Sequence, residues 1–97
     1  MPAKTIKYNV ISLAEFIGID TPPKSAIYAV VVKHKKADSH KFFHNGKKIM
    51  FKNQPTFKTY GECLEDVRYI TNFLSINYKI IGIAATTWSD SHIRKNA

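Results

Sequence analysis

Hydrophobic and polar residues alternate from Thr5 to Val10, which predicts a half-buried β-strand. A short helix is expected next, because Ser12 and Glu15 have the spacing of a capping box. Gly18 stands where a glycine ends a helix in a left-handed conformation. The residues expected on the buried side of this helix are Leu13, Phe16 and Ile17.

A continuous run of mostly β-branched residues from Ala26 to Val32 predicts a strand that is covered on both faces. Farther along, Asn45 and Gly46 form the dipeptide that type I′ hairpin turns prefer, because both turn positions need a positive φ. The pattern therefore predicts a hairpin with strands from Lys41 to His44 and from Lys47 to Phe51.

A two-residue turn fixes the register of this hairpin, with Phe43 opposite Lys48 and Phe42 opposite Ile49. Side chains alternate between the two faces of a strand, so the register divides the hairpin into two surfaces. The predicted core surface carries His40, Phe42, His44, Ile49 and Phe51. The predicted solvent surface carries Lys41, Phe43, Lys48, Met50 and Lys52.

A long amphipathic helix is predicted from about Tyr60 to Ser75, and Thr59 and Glu62 form a second capping box at its start. The acids near its N-terminus complement the helix dipole, so we interpret them as ordinary helix residues. We interpret Cys63, on the apolar stripe, as a buried and inert thiol. The acids are Glu62, Glu65 and Asp66, and the stripe is Tyr60, Cys63, Leu64, Val67, Ile70, Thr71 and Leu74.

The run from Tyr78 to Thr86 predicts a buried last strand, whose small residues would let a helix approach closely; they are Gly82, Ala84 and Ala85. The fold class is therefore α+β, an antiparallel sheet with one long amphipathic helix and one short helix in the order β-α-β-β-β-α-β. This order suggests a ferredoxin-like sandwich, with an antiparallel meander crossed by the long helix as the alternative. We expect one domain over residues 1–88 and a polar tail over 89–97.

The composition narrows the class of protein. The chain of 97 residues has room for one core, and 44% of its residues are hydrophobic, as in folded proteins. No apolar run approaches the ~18 residues of a membrane-spanning helix. Cys63 is the only cysteine, which excludes an intrachain disulfide and a zinc site of several thiolates. We therefore expect a cytoplasmic protein without a membrane partner.

The net charge of +8 is concentrated in one segment, because residues 33–58 carry eight lysines and a single acid, Asp38. Lysines neutralise phosphates and aromatic side chains stack on bases, so we expect a non-enzymatic protein that contacts nucleic acid mainly through its backbone. Arginine is scarce, which argues against base-specific readout of a duplex. The candidate binding residues are Lys33, Lys35, Lys36, Lys41, Phe43, Lys47, Lys48, Met50 and Lys52.

Two other interpretations of the lysine-rich segment stay open. The same surface could dock an acidic protein or a second copy of the chain, as a protein–protein interaction module or inhibitor. Trp88 is then a candidate interface anchor, against the alternative of an aromatic at the edge of the core. The lysines could instead only solubilise the protein or protect a strand edge from aggregation.

Catalytic chemistry and metal binding are not expected. Asp90, Ser91 and His92 have the residue types of a catalytic triad, but adjacent residues in a polar tail lack the support that triad geometry needs. His40 and His44 are four residues apart on a predicted strand, about 13 Å, which is too far to share one ion. We therefore predict no catalytic residue, no metal site and no cofactor.

Overall fold

The computed structural model of the chain describes residues 7–87. The beginning of the predicted first strand (Thr5 and Ile6), Trp88 and the tail over 89–97 with its Asp90, Ser91 and His92 lie outside the described residues. The described elements are β1 (Asn9–Ile11), α1 (Leu13–Ile17), β2 (Ala26–His34), β3 (His40–Asn45), β4 (Ile49–Lys52), α2 (Tyr60–Tyr69), a π-helical turn (Ile70–Leu74) that continues α2, and β5 (Tyr78–Thr87). The predicted α+β class, with an antiparallel sheet, one short helix and one longer helix, is confirmed.

The five strands form one antiparallel sheet in the order β1-β5-β2-β3-β4. The last described strand, β5, lies between β1 and β2, although these two strands are consecutive along the chain and are joined by α1. Asn9 is opposite Ala85, and Ala29 is opposite Ala84. The centre of the sheet is thus built by strands that are far apart in sequence.

Helices cover one face of the sheet, which we call the helical face. Its core joins Phe16 of α1 and three residues of α2 and the π-helical turn to strand residues from β2, β3 and β5. The buried members are Phe16, Tyr28, Val30, Val32, Phe43, Cys63, Val67, Ile70 and Ile83. The prediction of a fully covered β2 is confirmed, because all residues from Ile27 to Val32 are buried.

The short helix α1 begins as predicted, with the Ser12 hydroxyl accepting a hydrogen bond from the Glu15 amide at 3.0 Å. Two details of its prediction were wrong. Gly18 has φ −76° and ψ −1°, which is right-handed, so no left-handed cap ends the helix. Ile17 is 54% exposed, because the buried side of this short helix is filled by Phe16, with Leu13 partly buried beside it.

The capping box of α2 is confirmed: the Thr59 amide donates to the Glu62 carboxylate at 3.1 Å, and the Glu62 amide donates to the Thr59 hydroxyl at 3.4 Å. The α-helix ends at Tyr69, and the rest of the predicted helix is the π-helical turn. Thr71 was wrongly placed on the apolar stripe. It is exposed, and its hydroxyl donates to the Val67 carbonyl at 2.9 Å.

The hairpin β3–β4 has a different register from the predicted one. Phe43 is opposite Phe51, and Asn45 is opposite Ile49, so residues 46–48 form the connection. No described residue has a positive φ, which excludes the type I′ turn. The observed register differs from the predicted one by three residues, since Phe43 is opposite Phe51 instead of Lys48. A shift by an odd number of residues changes which side chains of the two strands share a face. Phe43 therefore lies in the core and is only 1% exposed.

The predicted helix approach holds for one of the three small residues of β5, because Ala85 packs against the core of the helical face, whereas Gly82 and Ala84 do not. A Cβ atom at Gly82 would lie 2.5 Å from Cγ1 of Val10 and 3.2 Å from the carbonyl oxygen of Ile11, both from the neighbouring β1. Ala84 lies on the face opposite the helices. The sheet register shifts between Val31 and Val32, where a bulge in β5 leaves Ile81 42% exposed instead of buried.

Candidate nucleic-acid interface

The second face of the sheet, which we call the open face, carries a smaller cluster of buried residues. Ala29, Val31, Phe42 and Ala84 form this cluster, with Phe57 packed against it. None of these residues belongs to α1 or α2. Strand alternation places four basic residues on the same face. Lys33 and His40 are each two residues from a cluster member, Lys52 is directly opposite Phe42, and Lys79 is directly opposite Lys33.

Acidic and basic residues are segregated between the helices and the strands. The five described strands contain four lysines (Lys33, Lys41, Lys52 and Lys79) and no Asp or Glu. The two helices contain four acids (Glu15, Glu62, Glu65 and Asp66) and one basic residue, Arg68. Three of the four strand lysines lie on the open face, so this face is basic and the helical layer is acidic.

A row of basic side chains crosses three adjacent strands at one end of the open face. Lys33 on β2 is directly opposite His40 on β3 and Lys79 on β5. Directly opposed residues of antiparallel strands lie on the same face with their Cβ atoms about 5 Å apart. Lys52 on β4 is opposite Phe42 in the adjoining row, and its ammonium donates to the Thr56 hydroxyl at 3.3 Å.

Aromatic rings extend from this row across the open face. The ring centre of His40 lies 5.8 Å from that of Phe42, and the ring centre of Tyr8 lies 5.9 Å from that of Phe42. Both contacts are edge-to-face. Phe57 contacts Tyr8 at 6.1 Å. Phe42 is buried, whereas Tyr8 is 37% exposed and His40 is exposed. The open face therefore combines accessible rings with nearby lysines.

The predicted candidate residues do not form one surface. Phe43 was wrong as a contact residue, because its ring packs against Phe51 at 5.4 Å and stacks on Tyr69 at 6.0 Å inside the core. Lys41 follows the alternation of Phe43 on the helical face, and its ammonium donates to the Asn53 side chain at 2.6 Å. The structure brings Lys33 and Lys52 together with two residues that were not among the candidates, Lys79 and Tyr8.

Met50 is 42% exposed on β4 and also lies on the open face, because it is two residues from Lys52. The other four candidates lie beyond the ends of the strands. Lys47 and Lys48 are exposed in the β3–β4 connection. Lys35 and Lys36 are exposed in the β2–β3 turn, where the Lys35 ammonium donates to the Ser75 carbonyl and the Lys36 amide donates to Nδ1 of His34 at 3.1 Å. They surround the open face at its edges.

Sequence reasoning missed a buried ion pair that joins the hairpin to α2. The Lys58 ammonium lies 2.9 Å from the Asp66 carboxylate and donates to the Asn45 carbonyl at 3.0 Å. The backbone of Lys58 also pairs with Tyr28 of β2 through two hydrogen bonds of 2.8 Å. Burial raises the pKa of Asp66, while the hydrogen bond and the charge of Lys58 oppose this shift.

His44 lies within electrostatic reach of this pair. Burial lowers the pKa of His44, and the positive charges of Lys58 and Lys52 lower it further. Nδ1 of His44 is buried, and no hydrogen-bond partner for it occurs among residues 7–87. The interpretation of Asp66 as an ordinary helix acid missed its burial and its pairing with Lys58. Its position between Cys63 and Ile70 on the apolar stripe was the available signal.

We also considered the thiol, possible metal ligands and grooves of residues 7–87 as candidate sites. Cys63 is buried as predicted, and burial raises the pKa of its thiol to about 12. In the described part of the chain, no group of three or more His, Cys, Asp or Glu side chains could hold a metal ion. A groove of about 540 Å³ lies beside the start of α2, between Pro22, Phe57 and Tyr60. Among residues 7–87 there is no helix whose length and apolar character would suit a bilayer.

Comparisons with protein-family models, curated proteins and solved structures return no match to this chain.

Proposed function

We propose that this protein binds nucleic acid without catalysis and that the open face of the sheet makes the contact. The observation that carries the proposal is the segregation of charge, with lysines on acid-free strands and acids on the helices. A polyanion approaching the open face meets the ammonium groups of Lys33, Lys52 and Lys79. The helices repel the same polyanion mainly through Glu15 and Glu62, because Asp66 is paired with Lys58 and Glu65 with Arg68. The segregation therefore also orients the protein.

The expected contact is mainly with phosphates. Lysine is a flexible point charge that neutralises phosphate without reading a base edge, and each neutralised phosphate releases condensed counterions. Arg68 lies on α2, so no described arginine lies on the open face to make a bidentate contact with guanine. Lys35, Lys36, Lys47 and Lys48 at the edges extend the positive potential around the open face.

Two finer predictions belong to this proposal. A ferredoxin-like relationship is supported by β1–α1–β2 alone, since β5 is inserted between its parallel strands as in a split β-α-β unit. The second helix, α2, instead joins the antiparallel strands β4 and β5 across two other strands. A cytoplasmic location is supported by the single cysteine of the sequence, which suits a reducing compartment.

The test compares two triple variants that remove the same charge from different places. Fluorescence anisotropy would measure binding of labelled 20-nucleotide DNA and RNA, single-stranded and duplex, over a range of salt concentrations. We expect Lys33→Ala/Lys52→Ala/Lys79→Ala to lower the magnitude of the log–log salt slope by about 2 to 3, at ~0.7–0.9 for each lost phosphate contact. The control is Lys24→Ala/Lys47→Ala/Lys48→Ala, which leaves the open face intact.

Each outcome of this comparison decides between interpretations. A larger loss in the open-face variant supports the proposal. A larger loss in the control variant would move the contact to the loops and overturn the assignment to the open face. Absence of binding by the unmodified protein at 20 mM salt would overturn the nucleic-acid proposal itself.

A second candidate function is protein–protein interaction, by docking of an acidic protein or by self-association, and two exposed apolar residues favour it. Phe73 is 70% exposed and Ile76 is 83% exposed at the end of the helical layer. The Lys35 ammonium contacts the Ser75 carbonyl between them, which puts a positive charge at the rim of this patch. Light scattering of the unmodified protein and of Phe73→Ser/Ile76→Ser would show whether the patch pairs two copies, since only the unmodified protein would then be a dimer.

A further inference from the structure

We infer that the open face binds single-stranded nucleic acid in preference to duplex, with bases stacked on Tyr8 and His40. The inference rests on the proposed function and names the form of nucleic acid that the same face selects. It is carried by the juxtaposition of two accessible rings, one on each side of Phe42, with three lysines of the open face.

The three rings of the open face differ in accessibility: Phe42 is buried, whereas Tyr8 and His40 are exposed, as a surface that stacks bases requires. Phe42 is 4% exposed and is held among Ala29, Val31 and Ala84, so it is a fixed support. Tyr8 and His40 contact this support edge-to-face, with ring centres less than 6 Å from that of Phe42. Because both are accessible while Phe42 is not, a ligand on this face meets Tyr8 and His40 first.

Accessible rings distinguish single strands from duplexes. Bases in a duplex are stacked on one another and offer only their edges and the phosphates to a flat protein surface. Unpaired bases can splay out and stack on aromatic side chains, which tolerates any sequence because every base has a π-face. The open face has no arginine among residues 7–87 for bidentate contacts with base edges, so stacking on its rings is the contact with bases that this face favours.

The lysines lie where the phosphates of stacked nucleotides would pass. Lys33 is the direct cross-strand neighbour of His40, and Lys52 is the direct cross-strand neighbour of Phe42. Lys79 extends the row on the far side of Lys33. A base stacked on His40 would therefore have Lys33 and Lys52 near its flanking phosphates. A nucleic-acid strand that continues from His40 toward Tyr8 would cross the buried cluster.

The experiment compares oligo(dT) of 20 nucleotides with a 20-base-pair duplex DNA, both labelled, in binding to the full chain. Unmodified protein should bind the single strand more tightly. Tyr8→Ala and His40→Ala should each weaken binding of the single strand by about 5- to 100-fold, as expected for the loss of one stacked base. Both variants should leave the duplex affinity unchanged. Tyr8→Phe keeps the ring and should bind like the unmodified protein.

Phe73→Ala is the matched control, because it removes an exposed aromatic ring from the helical layer and should leave both affinities unchanged. Equal binding of single strand and duplex, together with no loss in Tyr8→Ala and His40→Ala, would overturn this inference and leave the proposed function standing. No binding of either probe would overturn both. Amide shift mapping by NMR with oligo(dT) tests the unmodified protein, and shifts confined to α2 would also overturn the inference.

Discussion

The two faces of the sheet differ in what holds them together and in what they present. The helical face buries a large cluster that includes Phe16, Phe43 and Ile83, each no more than 1% exposed. The open face buries a smaller cluster, of four residues, and surrounds it with lysines and accessible rings. The difference teaches that stability and binding can be separated in this protein. Substitutions on the helical face should act on folding, and most substitutions of polar residues on the open face should act on binding.

The largest expected effect is the loss of Phe43. Phe43→Ala should lower the free energy of unfolding by about 3–5 kcal/mol, because it empties a site enclosed by Phe51 and Tyr69. Urea unfolding followed by circular dichroism would measure it. Phe73→Ala, at an exposed ring, should change stability by less than ~0.5 kcal/mol. Comparable small effects for both would contradict the β3–β4 register.

The buried ion pair should have nearly as large an effect when only one partner is removed. Asp66→Ala should destabilise the fold by about 3–5 kcal/mol, since it leaves the Lys58 ammonium buried without its counter-charge. Lys58→Met/Asp66→Leu replaces the pair with apolar side chains and should recover most of this loss. Urea unfolding of the two variants makes the comparison. A double variant no more stable than Asp66→Ala would show that the hydrogen bond of Lys58 to Asn45 matters more than the pair.

Gly82 tests whether the open face also has positions that control folding. Gly82→Ala should cost about 1–3 kcal/mol, because the added methyl group would meet Val10 and the carbonyl of Ile11 on β1. The control is Gly61→Ala, where no atom lies within 4 Å of the added carbon, so stability should stay equal or rise slightly. Thermal unfolding of both variants decides. An unchanged Gly82→Ala protein would contradict the pairing of β1 with β5.

Stability should depend on pH through His44. Burial and the neighbouring Lys58 and Lys52 lower the pKa of His44 in the folded state, although Asp66 opposes this slightly. The unfolded state therefore binds a proton first as the pH falls below about 6.5, and the free energy of unfolding decreases through this window. Urea midpoints at pH 7.5 and 5.5 would measure the decrease. His44→Gln should reduce it, and His34→Gln is the control for loss of a histidine elsewhere.

The smallest expected change in stability concerns Lys33 and Lys79, which are directly opposed like charges on β2 and β5. Lys79→Glu should raise the free energy of unfolding by about 0.2–1 kcal/mol, because an opposite-charge pair replaces a repulsive one. The same variant should weaken nucleic-acid binding. Urea unfolding and fluorescence anisotropy on the same sample would measure the gain in stability and the loss of binding. A variant that is more stable and binds equally well would remove Lys79 from the interface.

Local sequence signals predicted the parts of the fold that local chemistry decides. The capping boxes at Ser12 and Thr59 involve side chains within three residues of each other, so their spacing was enough. The buried β2 followed from its unbroken β-branched run. These elements also suffice for the α+β class, since each needs little information about its tertiary neighbours.

The hairpin could not be predicted in the same way. Phe42 and Phe43 are consecutive and both buried, so alternation of hydrophobic and polar residues does not say which one faces the helices. The Asn45-Gly46 dipeptide then favoured a tight turn, whereas pairing Phe43 with Phe51 packs these two rings against Tyr69 and Tyr78. Packing at the helical face thus outweighed local turn preference.

Only part of the candidate site could be predicted, because the rest depends on contacts between distant parts of the chain. Composition located the charge in the right segment, and Lys33 and Lys52 do lie on the open face. Lys79 and Tyr8 lie far outside that segment and join it only because β5 pairs with β2 and β1 pairs with β5. The Lys58–Asp66 pair likewise depends on how a loop returns beside β2, which no spacing rule encodes.

The position of β5 in the middle of the sheet also has a consequence for synthesis on the ribosome. Until residues 78–87 have left the exit tunnel, β1 has no described neighbour and β2 has a neighbour on one side only. The nascent chain can form the β2–β3–β4 meander and α2 early, but its central pairing waits for contacts of high sequence separation, which fold slowly. During that interval the apolar edge of β2 is exposed, so this protein should depend on chaperones more than its size suggests.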